Sequence, residues 1–223
     1  MRDLVIRPEE PGDFAAADAL TREAFWNLYR PGCDEHYLAH VMRSHPDYLA
    51  GLSHVAERDG AIVGSIQYTR SRLLAEDGAC LETVTFGPLC VAPGLQRVGI
   101  GTRLIDHTRQ LAVAAGYPAI VILGDPHNYV KHGFRNGRDL NVRASDGKFP
   151  LGLLVLELTP GVLAGGVLAS GVLAARSWRF QESAVFELDQ AQVEAYDRTL
   201  PPKPKEYRYT QDLFSMMIRA VVE

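Results

Sequence analysis

The sequence predicts a mixed α/β fold, and three patterns along the chain support that prediction. A glycine-spaced loop at 92–101 connects a short apolar strand to an amphipathic helix. A continuous, mostly β-branched run at 119–123 follows that helix, so strand, helix and strand form one βαβ unit. Earlier in the chain, Asp59-Gly60 separates two strand-like segments and favours a tight hairpin. Together these patterns indicate a sheet that is flanked by helices.

The N-terminal part of the chain predicts alternating strands and helices. The elements are a strand at 4–7, helices at 14–25 and 35–43, and strands at 53–58 and 61–72. Pro8 and Pro11 end the first strand, and Asp13 is expected to cap the helix that follows.

The next predicted strand covers 81–91 and contains Gly87-Pro88. Proline cannot donate a hydrogen bond to a sheet, so we expect a bulge or bend at that point. The helix after the glycine-spaced loop is expected to end near Gly116, a typical C-terminal residue. A short helix is then predicted from Pro126 to His132, with Gly133 ending it.

The C-terminal part is predicted to be an extension that packs on the rest. A strand at 149–158, a helix at 190–198, a stiff Pro-rich spacer at 201–204 and a final helix at 212–222 are expected. Residues 161–175 repeat with a period of five, which matches neither a strand nor a helix. We interpret that repeat as a flexible apolar connection that contains one short strand, with a subunit contact as the alternative. The predicted division is a core at 1–160 and an extension at 161–223, forming a single domain overall.

The loop between strand and helix is suited to bind a diphosphate. The first N–H groups of a helix lack partners within it, and the helix dipole adds partial positive charge there. Gly99 and Gly101 remove side chains that would keep phosphates from the backbone. A P-loop is excluded, because Ile100 and Gly101 occupy the places of its Lys and Ser/Thr. A dinucleotide fingerprint also fails, because its third glycine is missing.

The spacing Gln96-x-x-Gly99-x-Gly101 instead resembles the pyrophosphate loop of the GCN5-related N-acetyltransferases, the GNAT superfamily. Further along, Tyr129-x-x-x-Gly133-Phe134 is similar to the tyrosine-bearing segment of that superfamily, in a bacterial subgroup of predicted acetyltransferases. The resemblance implies a mixed, mostly antiparallel central sheet flanked by helices, with a splayed strand pair.

The resemblance also implies acetyl-CoA as co-substrate, without a metal. The residues expected to bind it are Leu89, Cys90, Val91, Gln96, Arg97, Val98, Gly99, Ile100, Gly101 and Thr102. A backbone N–H near 89–91 would stabilise the developing oxyanion. By its matching position, Tyr129 is expected to protonate the leaving thiolate, with packing under the sheet as the alternative.

The general base is less clearly marked in the sequence. Glu82, on the strand that leads toward the loop, is the candidate, although a solvated strand carboxylate explains it better. His54, His127 and His132 compete with it. Cys90 is expected to be a small buried residue, because no histidine lies near it in the sequence to form a nucleophilic pair.

Composition limits the partners of the protein. A net charge of −4 argues against a general nucleic-acid binder. The chain has three widely separated cysteines and no long apolar run, which predicts a cytoplasmic protein away from membranes. An amine-bearing small molecule or peptide is the expected acceptor, and a homodimer stays open. The main alternative is a catalytically weak acyl-CoA-binding or sensory module; transfer of another acyl group, or to protein N-termini or lysines, is a further one.

Overall fold

The computed structural model describes residues 4–164 and 176–223. Its helices are α1 (Phe14–Phe25), α2 (Glu35–Met42), α3 (Ile100–Ala114), α4 (Pro126–Tyr129), α5 (Gln190–Asp197) and α6 (Tyr209–Arg219). Its strands are β1 (Leu4–Pro8), β2 (His54–Arg58), β3 (Ala61–Ala75), β4 (Cys80–Val91), β5 (Ala119–Leu123), β6 (Arg135–Asn136), β7 (Val142–Arg143), β8 (Leu153–Glu157) and β9 (Trp178–Gln181). The predicted fold class is confirmed: a mixed α/β fold with a mostly antiparallel sheet and flanking helices.

The chain divides into two compact units, to which β3 and β4 both contribute. Among the described residues, the first unit comprises 4–69, 86–111 and 183–215, and the second comprises 70–85, 112–164, 176–182 and 216–223.

In the first unit, β1 pairs with β2, and β2 with the first part of β3, all antiparallel. The two faces of β3 contact different helices. The Tyr68 hydroxyl lies 2.8 Å from Thr108 Oγ1 of α3, whereas Gln67 Nε2 donates to the Ala39 carbonyl of α2 at 3.4 Å. Side chains alternate along a strand, so these neighbouring residues mark opposite faces.

The second unit has its own apolar core. Three strands, β6, β8 and β5, pair side by side and antiparallel, and β5 pairs in parallel with β4 at Val84 and Ile120. The last part of β3 pairs with β9. In the part of this unit that the structure describes, eight buried side chains form the core: Leu73, Val121, Val142, Leu153, Val155, Leu163, Trp178 and Phe180.

Three predicted details are corrected by the contacts observed. The Asp13 side chain does not cap α1; its carboxylate accepts from Arg7 Nη1 at 2.6 Å and from the Glu10 N–H at 2.9 Å. The strand predicted at 149–158 is β8 alone, because residues 149–151 instead pair with 220–222. That pairing also ends α6 at Arg219, earlier than the predicted helix at 212–222.

Most of the five-residue repeat, 165–175, lies outside the described residues. Within the described ranges, no helix is long and apolar enough to cross a membrane.

Candidate functional site

The predicted anion loop lies between the end of β4 and the start of α3. Two residues in it have backbone angles in the left-handed region, Arg97 with φ 63° and Gly99 with φ 91°. Backbone that alternates in this way can turn successive N–H groups toward one point. The Arg103 N–H donates to the Gly99 carbonyl at 3.0 Å and closes the first turn of α3. The N–H groups of residues 100–102 therefore have no acceptor within the helix.

The glycines leave this first turn bare. A Cβ built on Gly99 would meet no atom within 4 Å, and one on Gly101 would approach only Val91 Cγ2, at 3.7 Å. The space beside the backbone at these two glycines is therefore open.

The end of β4 is tied to this loop on one side and to β3 on the other. Gln96 Nε2 donates to the Val91 carbonyl at 3.2 Å, so the glutamine side chain holds the loop against the end of β4. The Ala92 N–H donates to the Val63 carbonyl at 2.9 Å. The structure thus brings together the predicted residues 89–91 and 96–102 within the first unit.

The direction of the side chains changes along β4. Phe86 packs edge-on against Tyr68 on the α3 side, with ring centroids 5.5 Å apart. Cys90 Sγ lies 3.5 Å from Thr21 Oγ1 of α1. Residues four apart in a regular strand share a face, so the alternation breaks at Gly87-Pro88. The irregularity expected there from the sequence is present.

Cys90 has the surroundings of a packing residue. It is buried, and that burial raises the pKa of its thiol to about 11. A thiol with so high a pKa is protonated at neutral pH and is a poor nucleophile.

Tyr129 stands at the end of α4, in the second unit. Asp125 caps this short helix by accepting from the His127 N–H at 2.9 Å. The helix tightens into a 3-10 turn at 130–132 and ends at Gly133, whose φ is 90°. The half-buried Tyr129 ring lies edge-on to Phe134, with centroids 5.8 Å apart.

Gly124 makes room for the Tyr129 ring. A Cβ at Gly124 would lie 2.7 Å from Tyr129 Cε2, closer than packed atoms come. The backbone of Gly124 is fixed in turn by a 2.9 Å hydrogen bond from its N–H to the Gly152 carbonyl. The position of the tyrosine therefore depends on two glycines outside its own helix.

Glu82 lies on β4 within the second unit, at the surface. Its side chain is 54% exposed and its carboxylate lies 3.6 Å from Arg70 Nε. An exposed pair of this kind is worth about 0–1 kcal/mol.

The competing histidines differ in burial. His54 is buried, and burial, aided by the nearby His107, holds its pKa below the usual range. His127 is exposed and His132 is half-buried. Across residues 4–164 and 176–223, no three His, Cys, Asp or Glu side chains are placed to hold a metal ion together.

A comparison with models of protein families shows which family has a loop and a tyrosine segment in this arrangement. Residues 22–134, a little over half of the chain, match the acetyltransferase (GNAT) family. The matched range includes the loop at 96–102 and ends at Phe134, just past Tyr129. The chain belongs to the GNAT acetyltransferase family. The resemblance seen in the sequence is thereby confirmed.

Relatives among known proteins agree with this GNAT assignment. An uncharacterized N-acetyltransferase of Escherichia coli K12, YhbS, is 29% identical over 131 residues, covering 59% of this chain and 73% of the relative. A second one, YjhQ, is 34% identical over 87 residues, covering 37% of this chain and 45% of the relative.

Solved structures share the GNAT fold. The crystal structure of Escherichia coli YhbS in complex with CoA matches with a TM-score of 0.69 at 24% identity, over 83% of this chain and 93% of that one. A GNAT family acetyltransferase from Brucella melitensis, in complex with acetyl-CoA, matches with a TM-score of 0.58 at 25% identity, over 83% and 99% of the two chains.

One group of buried polar residues was not predicted to be functional. Ser65, Gln67, Thr69 and Ser71 alternate with other residues along β3, a pattern typical of a strand with one face in water. In the structure all four are buried. Only the packing of α2 over β3 reveals that Gln67 is covered, and the sequence carries no signal for it.

Proposed function

We propose that this GNAT acetyltransferase moves the acetyl group of acetyl-CoA directly to a primary amine of a small molecule or peptide. The observation that supports this most is the bare first turn of α3, inside the range that matches the family. Both solved relatives named above hold CoA or acetyl-CoA.

The loop residues fit a diphosphate. The N–H groups of residues 100–102 are neutral donors at the positive end of a 15-residue helix, which suits an anion without requiring many basic side chains. Arg97 is exposed in the same loop and can add one cation. The proposed diphosphate-binding residues are Gln96, Arg97, Val98, Gly99, Ile100, Gly101 and Thr102.

The end of β4 is proposed to hold the pantetheine arm through backbone groups of Leu89, Cys90 and Val91. Acetyl-CoA supplies an activated acetyl group and a thiol leaving group when it is bound. A fixed backbone N–H at 89–91 can stabilise negative charge on a carbonyl oxygen, an effect often worth a few kcal/mol.

Tyr129 is proposed to hold the proton that the thiolate needs. A phenol is neutral at pH 7 and can donate its proton transiently. The contacts with Phe134 and Gly124 keep the ring in one place, as proton transfer requires.

Glu82 is proposed as the general base, directly or through water. An alkylammonium with a pKa near 10 costs roughly 4 kcal/mol to deprotonate at pH 7, so some acceptor of that proton is needed. Glu82→Gln tests the role. Unchanged activity with an alkylamine at pH 7 would assign the carboxylate to the surface pair with Arg70 alone.

The organisation of the molecule belongs to the same proposal. We expect the core at 1–160 and the extension at 161–223 to behave as one domain, acting in the cytoplasm without nucleic acid or membrane as partner.

The test is release of free CoA from acetyl-CoA, measured against a panel of amines, amino acids, aminoglycosides and peptides. We expect amine-dependent release with at least one class, and an acetylated product of matching mass. Tight binding of acetyl-CoA without release for any acceptor would instead indicate an acyl-CoA-binding module.

A further inference from the structure

Two buried oxygen atoms on one face of β3 lack partners. Gln67 and Thr69 are 1% and 0% exposed. Among the described residues, neither Gln67 Oε1 nor Thr69 Oγ1 has a hydrogen-bond partner. Leaving such an atom unsatisfied costs about 1–3 kcal/mol, so each one requires an explanation. A ligand that donates hydrogen bonds is one explanation.

The orientation of the Gln67 amide is fixed by its neighbours. Its Nε2 faces two acceptors, Glu9 Oε2 at 3.3 Å and the Ala39 carbonyl at 3.4 Å. Reversing the amide would place an oxygen against both of them. The Oε1 atom therefore points away from Glu9 and needs a donor from elsewhere.

A buried ionic cluster lies beside this amide. The Glu9 side chain is 1% exposed and accepts from Arg43 Nη2 at 2.7 Å and from the Tyr48 hydroxyl at 2.9 Å. Arg43 Nη1 also donates to Asp18 Oδ1 at 2.6 Å. One guanidinium thus faces two carboxylates, and the surplus charge of −1 favours a cation nearby. His40, whose side chain is 52% exposed, contacts Asp18 from the solvent side.

This face of β3 continues to the strand end proposed to hold acetyl-CoA. Ala92, just past β4, pairs with Val63, four residues before Gln67. Ser65, the residue before Gln67 on this face, has its backbone N–H against the Cys90 thiol. Successive residues on one face of a strand are roughly 7 Å apart, so Gln67 is within reach of a five-carbon chain from the Cys90 end of β4. The field of Glu9 reaches Cys90, where it adds to the burial that raises the pKa of the thiol.

We propose that Gln67 Oε1 and Thr69 Oγ1 bind a second, non-reacting ammonium group of the acceptor, within the field of the Glu9 carboxylate that contacts the nitrogen of the same Gln67 amide. The acceptor class is then a diamine, in which one nitrogen is acetylated and the other is held on β3. This inference rests on the proposed function and specifies its substrate. An ammonium group has three donors and no acceptor, which matches two oxygens that lack donors beside surplus negative charge.

The test compares 1,5-diaminopentane with pentylamine by calorimetry on the full chain, with and without CoA. We expect the diamine to bind at least tenfold more tightly, roughly the value of one charged hydrogen bond. Thr69→Val removes one of the two oxygens at nearly constant volume and breaks no described side-chain hydrogen bond. It is expected to reduce the preference for the diamine about three- to tenfold, with the free energy of unfolding unchanged or higher.

Thr108→Val is the matched control. Thr108 is also fully buried, but it bonds Tyr68 and lies on the α3 face. Its replacement should lower the free energy of unfolding and leave the preference for the diamine intact.

Three results would overturn the inference: equal binding of both amines, no binding of either, or an undiminished preference in Thr69→Val. An ordered water as the sole partner of the two oxygens gives the first or the second of these results, because the second nitrogen of the diamine then gains no contact. Selective binding of the diamine without any CoA release would support the ammonium site on β3 and reject the proposed transferase activity. Equal binding of the two amines, together with equal CoA release from both, would support the transferase activity and reject the ammonium site on β3.

Discussion

At the scale of single residues, Tyr129 shows how a candidate catalytic side chain is positioned. Its ring is bounded by Phe134 on one side and by the backbone at Gly124 on the other. The sequence predicts the role of Tyr129 from the motif that it forms with Gly133 and Phe134. Gly124 could be read only as a strand breaker, because its closeness to the ring arises from packing.

Replacing Tyr129 by Phe keeps the ring and removes the phenolic proton. We expect kcat to fall by about 10²–10⁴-fold, the usual contribution of a general acid, with little change in acetyl-CoA affinity. The measurement is CoA release across a pH series. Full kcat at every pH would mean that the tyrosine only packs.

Gly124→Ala tests whether the position of the Tyr129 ring matters for catalysis, because it leaves the phenol itself unchanged. The new methyl group would lie 2.7 Å from Tyr129 Cε2, so the ring must move. We expect kcat to fall at least tenfold while acetyl-CoA binding persists, because misplacing a reacting group by about 1 Å can cost a hundredfold. Gly51→Ala is the control, because a Cβ there meets no atom within 4 Å. Equal activity of the two variants would contradict the role of Gly124.

At the scale of elements, the sequence predicts helices and strands most accurately where apolar residues recur with a clear period. The strand predicted at 119–123 has the same bounds in the structure, and the helix predicted to carry its apolar face from Phe14 to Phe25 is α1. Both combine a clear apolar pattern with flanking signals. By contrast, β6 and β7 have two residues each, too few for any pattern, and form because β8 and β9 offer partners.

Elements that depend on distant partners could not be placed from local sequence. Leu151 N–H donates to the Ala220 carbonyl, and Val222 N–H to the Phe149 carbonyl, both at 2.8 Å. Because of these bonds, residues 149–151 are not part of β8 and residues 220–222 are not part of α6, although the sequence predicts both. Such a pairing joins segments about seventy residues apart, which no periodicity reveals.

At the scale of the whole molecule, buried histidines make stability depend on pH. His36 and His54 are both buried, and burial holds the pKa of each below its usual value near 6.5. Below pH 6.5 the unfolded chain takes up protons that the folded chain resists. Their contribution to stability is therefore complete above that pH and is lost as the pH falls toward the folded-state pKa.

His54→Gln isolates one of these contributions. Relative to the native chain, the variant should gain up to about 1.4 kcal/mol of unfolding free energy per pH unit between pH 6.5 and the folded-state pKa. Urea unfolding of both chains at pH 7.5, 6.5 and 5.5 measures it. A stability difference that does not change with pH would show that the buried imidazole binds protons equally in both states.

Some residues of the candidate site can be predicted from the sequence, and others cannot. Gly99 and Gly101 are predicted from the backbone chemistry of an anion loop, and Gln96 from the resemblance to the GNAT superfamily. The unpartnered oxygens of Gln67 and Thr69 could not, because polar residues alternating along a strand normally face water. Gln67 is covered by α2, which packs on β3 from a distant part of the sequence.

The most direct test of the central claim is calorimetry of acetyl-CoA binding to the native chain, Gly101→Ala and Gly94→Ala. Alanine at 101 favours the helix by up to about 1 kcal/mol, so the variant should fold, yet its methyl group occupies the bare first turn. A Cβ at Gly94 meets no atom within 4 Å. We predict tight binding to the native chain and to Gly94→Ala, with at least tenfold weaker binding to Gly101→Ala. No heat of binding to the native chain, or equal affinity for all three chains, would contradict the assignment of this loop.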